Sequence, residues 1–177
     1  RELNRVFDRD WRAIKKNEVK NLIKATSGLF FEALSNVELA SKGDEIKIKF
    51  DVINRSPYPI KLEKIQLDEM EIDINDSLEY NELLSVDKDF IIPLNADISE
   101  KYWLKNTPDF GSYNIDDQTL VGEPDNKPTL DAKFIFRING QQITYNSPVT
   151  YKINSPINGD EYRPFNIGNP IYLNPVN

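Results

Sequence analysis

Between Asp44 and Ser56 the chain reads Asp-Glu-Ile-Lys-Ile-Lys-Phe-Asp-Val-Ile-Asn-Arg-Ser, and this stretch limits the fold more than any other. Ile46, Ile48, Phe50 and Val52 alternate with Glu45, Lys47, Lys49 and Asp51. A period of two puts one set on each face of an extended strand. A helix needs apolar spacings of three and four, which the run lacks. The stretch therefore predicts a long strand with a dry face and a wet face, as in an antiparallel sheet packed on one side.

The segments around it read in the same way. Leu29–Leu34 is a short apolar run with aromatics. Ile60, Leu62, Ile65 and Leu67 predict a strand that continues through Met70, Ile72 and Ile74 after a slip of register at Asp68-Glu69. Phe90–Leu94 is strand-like, and Leu130, Ala132, Phe134, Phe136 and Ile138 alternate up to Asn139-Gly140. Asn-Gly between alternating runs is a strong hairpin signal, and Ile143, Tyr145, Val149, Tyr151 and Ile153 supply the return strand. Thr107–Pro128, rich in Pro, Gly, Asp and Asn, is a long irregular loop. Seven or so strands with no interleaved helices predict a mainly β fold, an immunoglobulin-like or fibronectin-like antiparallel β-sandwich.

One helix is expected, at the N-terminus. Leu3, Phe7, Trp11, Ile14, Val19 and Leu22 fall within ~160° of a helical wheel, so Leu3 to about Ala25 reads as amphipathic, with a stop near Ser27-Gly28. Its apolar stripe must be covered by the sandwich, by another domain, or by self-association. Three segments result: a connector helix at 1–27, a β-sandwich at 28–154, and a tail or linker at 155–177, rich in Pro, Asn and Gly. The chain opens on Arg-Glu-Leu-Asn without Met or a signal peptide, and is expected to be a piece of a longer protein.

Composition removes whole classes of chemistry. Histidine and cysteine are both absent, which excludes imidazole general bases, Ser-His and Cys-His nucleophile pairs, thiolates and disulfides. Scattered glycines offer no phosphate-cradling loop. No window approaches the ~18 apolar residues of a membrane span. The formal net charge of −7 repels polyanions, so no nucleic-acid partner is expected. The basic residues Arg12, Lys15, Lys16, Lys20 and Lys24 are interrupted by acids and read as a solvated helix face.

Few residues are left as site candidates. Glu69-Glu71-Asp73 and Asp116-Asp117 are carboxylate sets that read as surface, and Asp109, Asp116, Asp117 and Asp125 lack a calcium-loop register. No metal ligand is assigned. Tyr102, Trp103 and Tyr113 near the long loop read either as a stacking platform for a sugar ring or, for Trp103, as a plug at one end of the core. Leu3, Phe7, Trp11, Ile14 and Phe30 are the interface candidates.

An ordered series of short motifs also carries a resemblance. It runs through Gly28–Ala33, Gly43-Asp44, Ile53-Asn54-Arg55-Ser56, Ile60–Ile65 and Pro93-Leu94. It continues through Tyr102-Trp103-Leu104, Gly111-Ser112-Tyr113, Leu120–Pro128, Pro148–Lys152 and Gly159–Pro164. In this order it resembles the region that follows the catalytic domain in large bacterial PIG-L (LmbE-like) deacetylases, over about Ala25 to Pro164. Two departures are Lys42 where the family often has Pro, and Phe30 where it often has Trp.

The resemblance implies a non-catalytic domain that packs on or orients an upstream N-acetylglucosamine deacetylase domain through the first helix and Phe30-Phe31. Zinc and its His ligands would belong to that domain alone, so this chain is expected to need no cofactor of its own. The resemblance also implies a cell-envelope or secreted setting. The alternative on the residues is a glycan-binding module.

Overall fold

The computed structural model describes residues 7–169. They form a mainly β protein with one N-terminal helix, α1 (Arg9–Thr26). The strands are β1 (Leu29–Ser35), β2 (Leu39–Ser41), β3 (Glu45–Asn54), β4 (Ile60–Leu67), β5 (Met70–Leu78), β6 (Leu83–Ile91), β7 (Asp131–Ile138), β8 (Gln141–Ser155), β9 (Gly159–Pro164) and β10 (Asn166–Gly168). By contact the chain divides into two compact units.

The first unit holds the chain up to Ala33, with α1 and most of β1, together with Lys49–Asp87 and Ala132–Ser147. Its strands follow the hydrogen-bonded order β5-β4-β7-β8-β1-β3-β6. The core comes from one face of each alternating run. Phe31 of β1 meets Phe134 and Phe136 of β7 at centroid distances of 5.0 and 5.6 Å, and Tyr145 of β8 at 5.5 Å. Phe50 of β3 meets Phe134 edge-on at 6.1 Å. Phe134 and Phe136 share a face because they lie two residues apart.

Two local features differ from expectation. Asp68-Glu69 is not a slip within one strand but a two-residue hairpin turn, with Leu67 opposite Met70 and Asp68 at φ 50. The register shift lies between Leu62 and Lys64, in the pairing of β4 with both β5 and β7. Against β7 Glu63 is the extra residue, which is why Leu62 and Ile65 are both buried although three apart; against β5 the extra residue lies on β5, between Asp73 and Asp76. The Asn139-Gly140 hairpin is as expected, with φ 49 and φ 72.

Asn54, at the end of β3, is a polar residue only 1% exposed. Its Nδ2 donates to the carbonyls of Tyr58 (3.0 Å) and Leu78 (3.3 Å), and its Oδ1 accepts from Ser56 N and Oγ at 3.1 Å each. A bridge to Tyr80 and the Asn81 N–H on the Asn54 carbonyl (2.7 Å) add to this knot. It ties the end of β5 to β3, which lies near the other edge of the strand order.

The second unit holds Leu34–Ile48, Lys88–Asp131 and the chain from Pro148 onward. Ala40, Ile46, Ile48, Phe90, Ile92, Leu130, Val149, Phe165 and Ile167 are its buried apolar residues. Gly43 N donates to Ile92 O and Ile92 N to Asp44 O, each at 2.9 Å, which ties the Lys42-Gly43-Asp44 turn to the end of β6.

The expectation of a tail or linker from 155 is corrected here. β9 pairs antiparallel with β8, from Thr150 opposite Pro164 to Ser155 opposite Gly159. β10 pairs parallel with β2, Ile167 opposite Ala40. Phe165 and Ile167 are buried, and Ile167 N donates to Ser99 Oγ at 2.8 Å. Residues 170–177 of the expected tail lie outside the described residues.

Candidate functional site

α1 begins at Arg9, after Phe7 of the apolar pattern. Asp8 caps it, accepting from the N–H groups of Asp10 (2.9 Å) and Trp11 (3.0 Å). A carboxylate there satisfies two of the donors a helix start leaves open. The other end stops as expected: Ser27 N donates to Ile23 O at 3.0 Å, and Gly28 sits at φ +58. Leu3, the first of the interface candidates, lies outside the described residues.

Of the three covers open to the stripe, α1 does not use its own sheet, which it meets through the other face. At ~100° per residue, Phe7, Trp11, Ile14 and Leu22 fall within ~80° of one another, and Arg12, Lys20, Ile23 and Ser27 lie opposite. It is the second group that is half-buried. Tyr145 OH donates to Lys20 O (2.8 Å), Lys20 Nζ donates to Thr144 O (3.3 Å), and Lys24 Nζ sits 3.9 Å from the centroid of the Phe31 ring. Lysine stems cover apolar surface while their ammonium groups find a carbonyl or a ring face. No residue of α1 is fully buried. Trp11 stays 54% exposed and Leu22 62%, with Phe7, Ile14 and Val19 exposed as well. Burial of the stripe on the sheet does not occur.

Beside that stripe, at the C-terminal end of α1, is an open groove of ≈ 400 Å³ lined by Asn21, Lys24, Ala25, Gly28, Leu29, Phe30 and Arg55. The interface candidate Phe30 is one of its walls. The Arg55 guanidinium stands 5.4 Å from the Phe30 ring centroid. A side chain at Gly28 would put its Cβ 3.0 Å from Arg55 Cβ, so the backbone there lies tight against Arg55. Burial pushes the Lys24 ammonium below its ordinary pKa. Sequence reasoning missed Arg55 and read Lys24 as part of a solvated face. The Asn54-Arg55-Ser56 break was visible, but not the ring Arg55 would meet.

The loop candidates are only partly brought together. Tyr102 and Trp103 meet edge to face, with centroids 4.8 Å apart at 88°. Tyr102 OH donates to Glu123 O (3.1 Å) and its N–H to Asn126 Oδ1 (3.0 Å). Lys101 stands 5.7 Å from the Trp103 ring and pairs with Asp125. Tyr113 is exposed and makes no ring contact with either among the described residues. Perpendicular rings do not form one flat platform. Tyr102 does line a cavity of ≈ 480 Å³ with Lys42, Asp97, Glu100, Asp117 and Asn126.

Asp117, Glu71 and Asp125 are engaged locally. Asp117 accepts from Thr119 N (3.0 Å) and Oγ1 (2.6 Å), which holds its pKa below the ordinary range. Glu71 is held down by Lys64 and then Gln66, each donating at 2.6 Å. Asp125 is held down by Lys101 and then by Asn126 N. A general acid at neutral pH needs the opposite shift. Among the described residues no group of three or more His, Cys, Asp or Glu is arranged to hold a metal ion, and no helix is long and apolar enough to cross a membrane.

No protein-family model matches the chain, and no curated protein sequence matches it.

Proposed function

We propose that this chain is a non-catalytic β-sandwich accessory module that docks on a partner domain through the outward face of α1, with Phe30 at one end of that face. The observation that carries this reading is the orientation of α1. A helix held to its own sheet by polar groups, with Trp11, Ile14 and Leu22 in water, leaves an apolar face for another polypeptide. Following the family resemblance, that partner is the catalytic domain of a PIG-L-like N-acetylglucosamine deacetylase in the cell envelope or outside the cell. Zinc and acid–base chemistry reside in the partner, and this chain positions it.

The strand order supports the sandwich architecture. β5-β4-β7-β8 followed by β1-β3-β6 matches the C′-C-F-G and A-B-E blocks of an immunoglobulin-like fold, joined where β8 meets β1.

The test mixes the purified chain with a purified PIG-L-type catalytic domain and measures complex mass by light scattering. A one-to-one complex is expected, lost in the double variant Trp11→Ser, Leu22→Ser. Acetate release from N-acetylglucosamine by the zinc-supplemented chain alone would overturn the non-catalytic assignment. A second reading, glycan binding, is favoured by the cavity beside Tyr102, where an aromatic ring stands with Glu100 and Asn126. Chitooligosaccharide binding that disappears in Tyr102→Ala would support it, and silence across a glycan panel would retire it.

A further inference from the structure

Resting on the docking reading, we propose that the groove between the end of α1 and the start of β1 receives an acidic side chain of the docked polypeptide, with an apolar neighbour of that side chain on the groove floor. The floor is apolar: Ala25, Leu29 and Phe30. Its charged groups are both cations, and no lining residue is acidic. Neither Lys24 nor Arg55 has an ion pair among the described residues; each is held against a ring, Phe31 and Phe30 respectively. Lys24 lies over Phe31, which faces the other side of β1, so Arg55 is the cation that faces the groove; fixed over the Phe30 ring without a counterion, beside an apolar wall, it is complementary to an anion attached to something greasy.

Two further facts narrow the class. The groove is open, so a free small molecule would not be enclosed as small-ligand sites enclose theirs, whereas a side chain delivered by a docked surface need not be. A single carboxylate matches the planar fork of Arg55 in the bidentate manner, and Arg55 must hold it against the negative end of the helix dipole, because the groove lies at the carbonyl end of α1. The groove also continues the apolar stripe: Ala25 lies on the same wheel position as Phe7, so a partner helix or strand crossing Trp11 and Leu22 runs onto Arg55.

The test is a titration of the ¹⁵N-labelled chain with an acetylated, amidated tetrapeptide alternating leucine and glutamate, followed by amide and arginine Nε resonances. Saturable shifts are expected at Gly28, Phe30 and the Arg55 Nε–H. The glutamine version of the peptide should produce none. Arg55→Gln should weaken binding about tenfold, with its thermal midpoint confirming that the variant folds. Arg55→Lys should lose most of the effect, since charge remains but the fork does not. Equal shifts with the glutamine peptide, or undiminished binding by Arg55→Gln, would overturn the proposal. So would octanoate or inorganic phosphate binding as tightly as the glutamate peptide, because the groove would then be a site for a free amphipathic carboxylate or a general anion site. Trp11 and Leu22 do not line the groove, so failure of the docking reading in the complex-mass experiment leaves this titration free to succeed or fail by itself.

Discussion

Replacing Asn54 with leucine would remove a side chain of similar size and four hydrogen bonds at once. The amide bridges Ser56, Tyr58 and Leu78 from a position with 1% exposure. Each such bond contributes about 1 kcal/mol net, and a buried partner left unsatisfied costs about 1–3 kcal/mol. The Tyr58 and Ser56 groups are near solvent and recover part of their loss from water; the Leu78 carbonyl, in a bond that is buried, does not. Asn54→Leu should therefore destabilise by about 3 kcal/mol. Asn54→Asp keeps the acceptor and loses both donors, while burying a charge. Its carboxyl would be raised above the ordinary value, so the variant should lose stability as pH rises through that value and be least affected near pH 4. Urea denaturation followed by circular dichroism measures both. A loss below about 1 kcal/mol for Asn54→Leu, or no pH dependence for Asn54→Asp, would refute the assignment of Asn54 as the knot. The result bears on function too, since Asn54 fixes the turn from which Arg55 reaches Phe30.

Three further outcomes are expected. Trp11→Ser and Leu22→Ser, on the exposed stripe, should each change stability by less than about 0.5 kcal/mol, whereas Phe31→Ala in the aromatic core should cost about 3–5 kcal/mol in the same melts. Gly28→Ala should cost about 1–2 kcal/mol, from its positive φ and the close approach of Arg55. Glu63 is held below its ordinary pKa first by its hydrogen bond from Arg137 and then by that from Gln142. A depressed carboxyl contributes stability that is present above its unfolded pKa, near ~4.3, and is lost as pH falls through the lower folded value. Glu63→Gln should therefore flatten the acid limb of the stability profile, and an unchanged acid limb would count against that pairing.

The fold was legible wherever one period dominated. β3 and β7 alternate without interruption, and Asn139-Gly140 can hardly be anything but a hairpin. The Asp68-Glu69 turn was hidden because Leu67 and Met70 bracket it without a Gly or Asn-Gly signal, so apolar residues recur on both sides as if in one strand. β9 and β10 were hidden because Phe165 and Ile167 stand amid Pro, Asn and Gly without a sustained alternation; their burial comes with long-range partners such as Ser99, not from local pattern. The helix was legible as an amphipathic object, but its periodicity says only which face is apolar. Which face touches the sheet was decided by the Tyr145 hydroxyl and two lysine stems, groups that a hydropathy pattern counts as solvent-facing. The groove was out of reach of the sequence for the same reason. Lys24, Phe30 and Arg55 sit on a helix, a strand and a turn, and nothing local in their spacing announces that they meet.

The central claim is that α1 turns its apolar face away from its own sheet and toward a partner. Hydroxyl-radical footprinting read by mass spectrometry tests it most directly. In the free chain Trp11, Ile14 and Leu22 should label rapidly and Ile23 and Tyr145 slowly; on adding a PIG-L-type catalytic domain, the partner proposed above, the first three should become protected. Slow labelling of Trp11 and Leu22 in the free chain, with Tyr145 reactive, would mean that the helix lies the other way round and that the docking face does not exist.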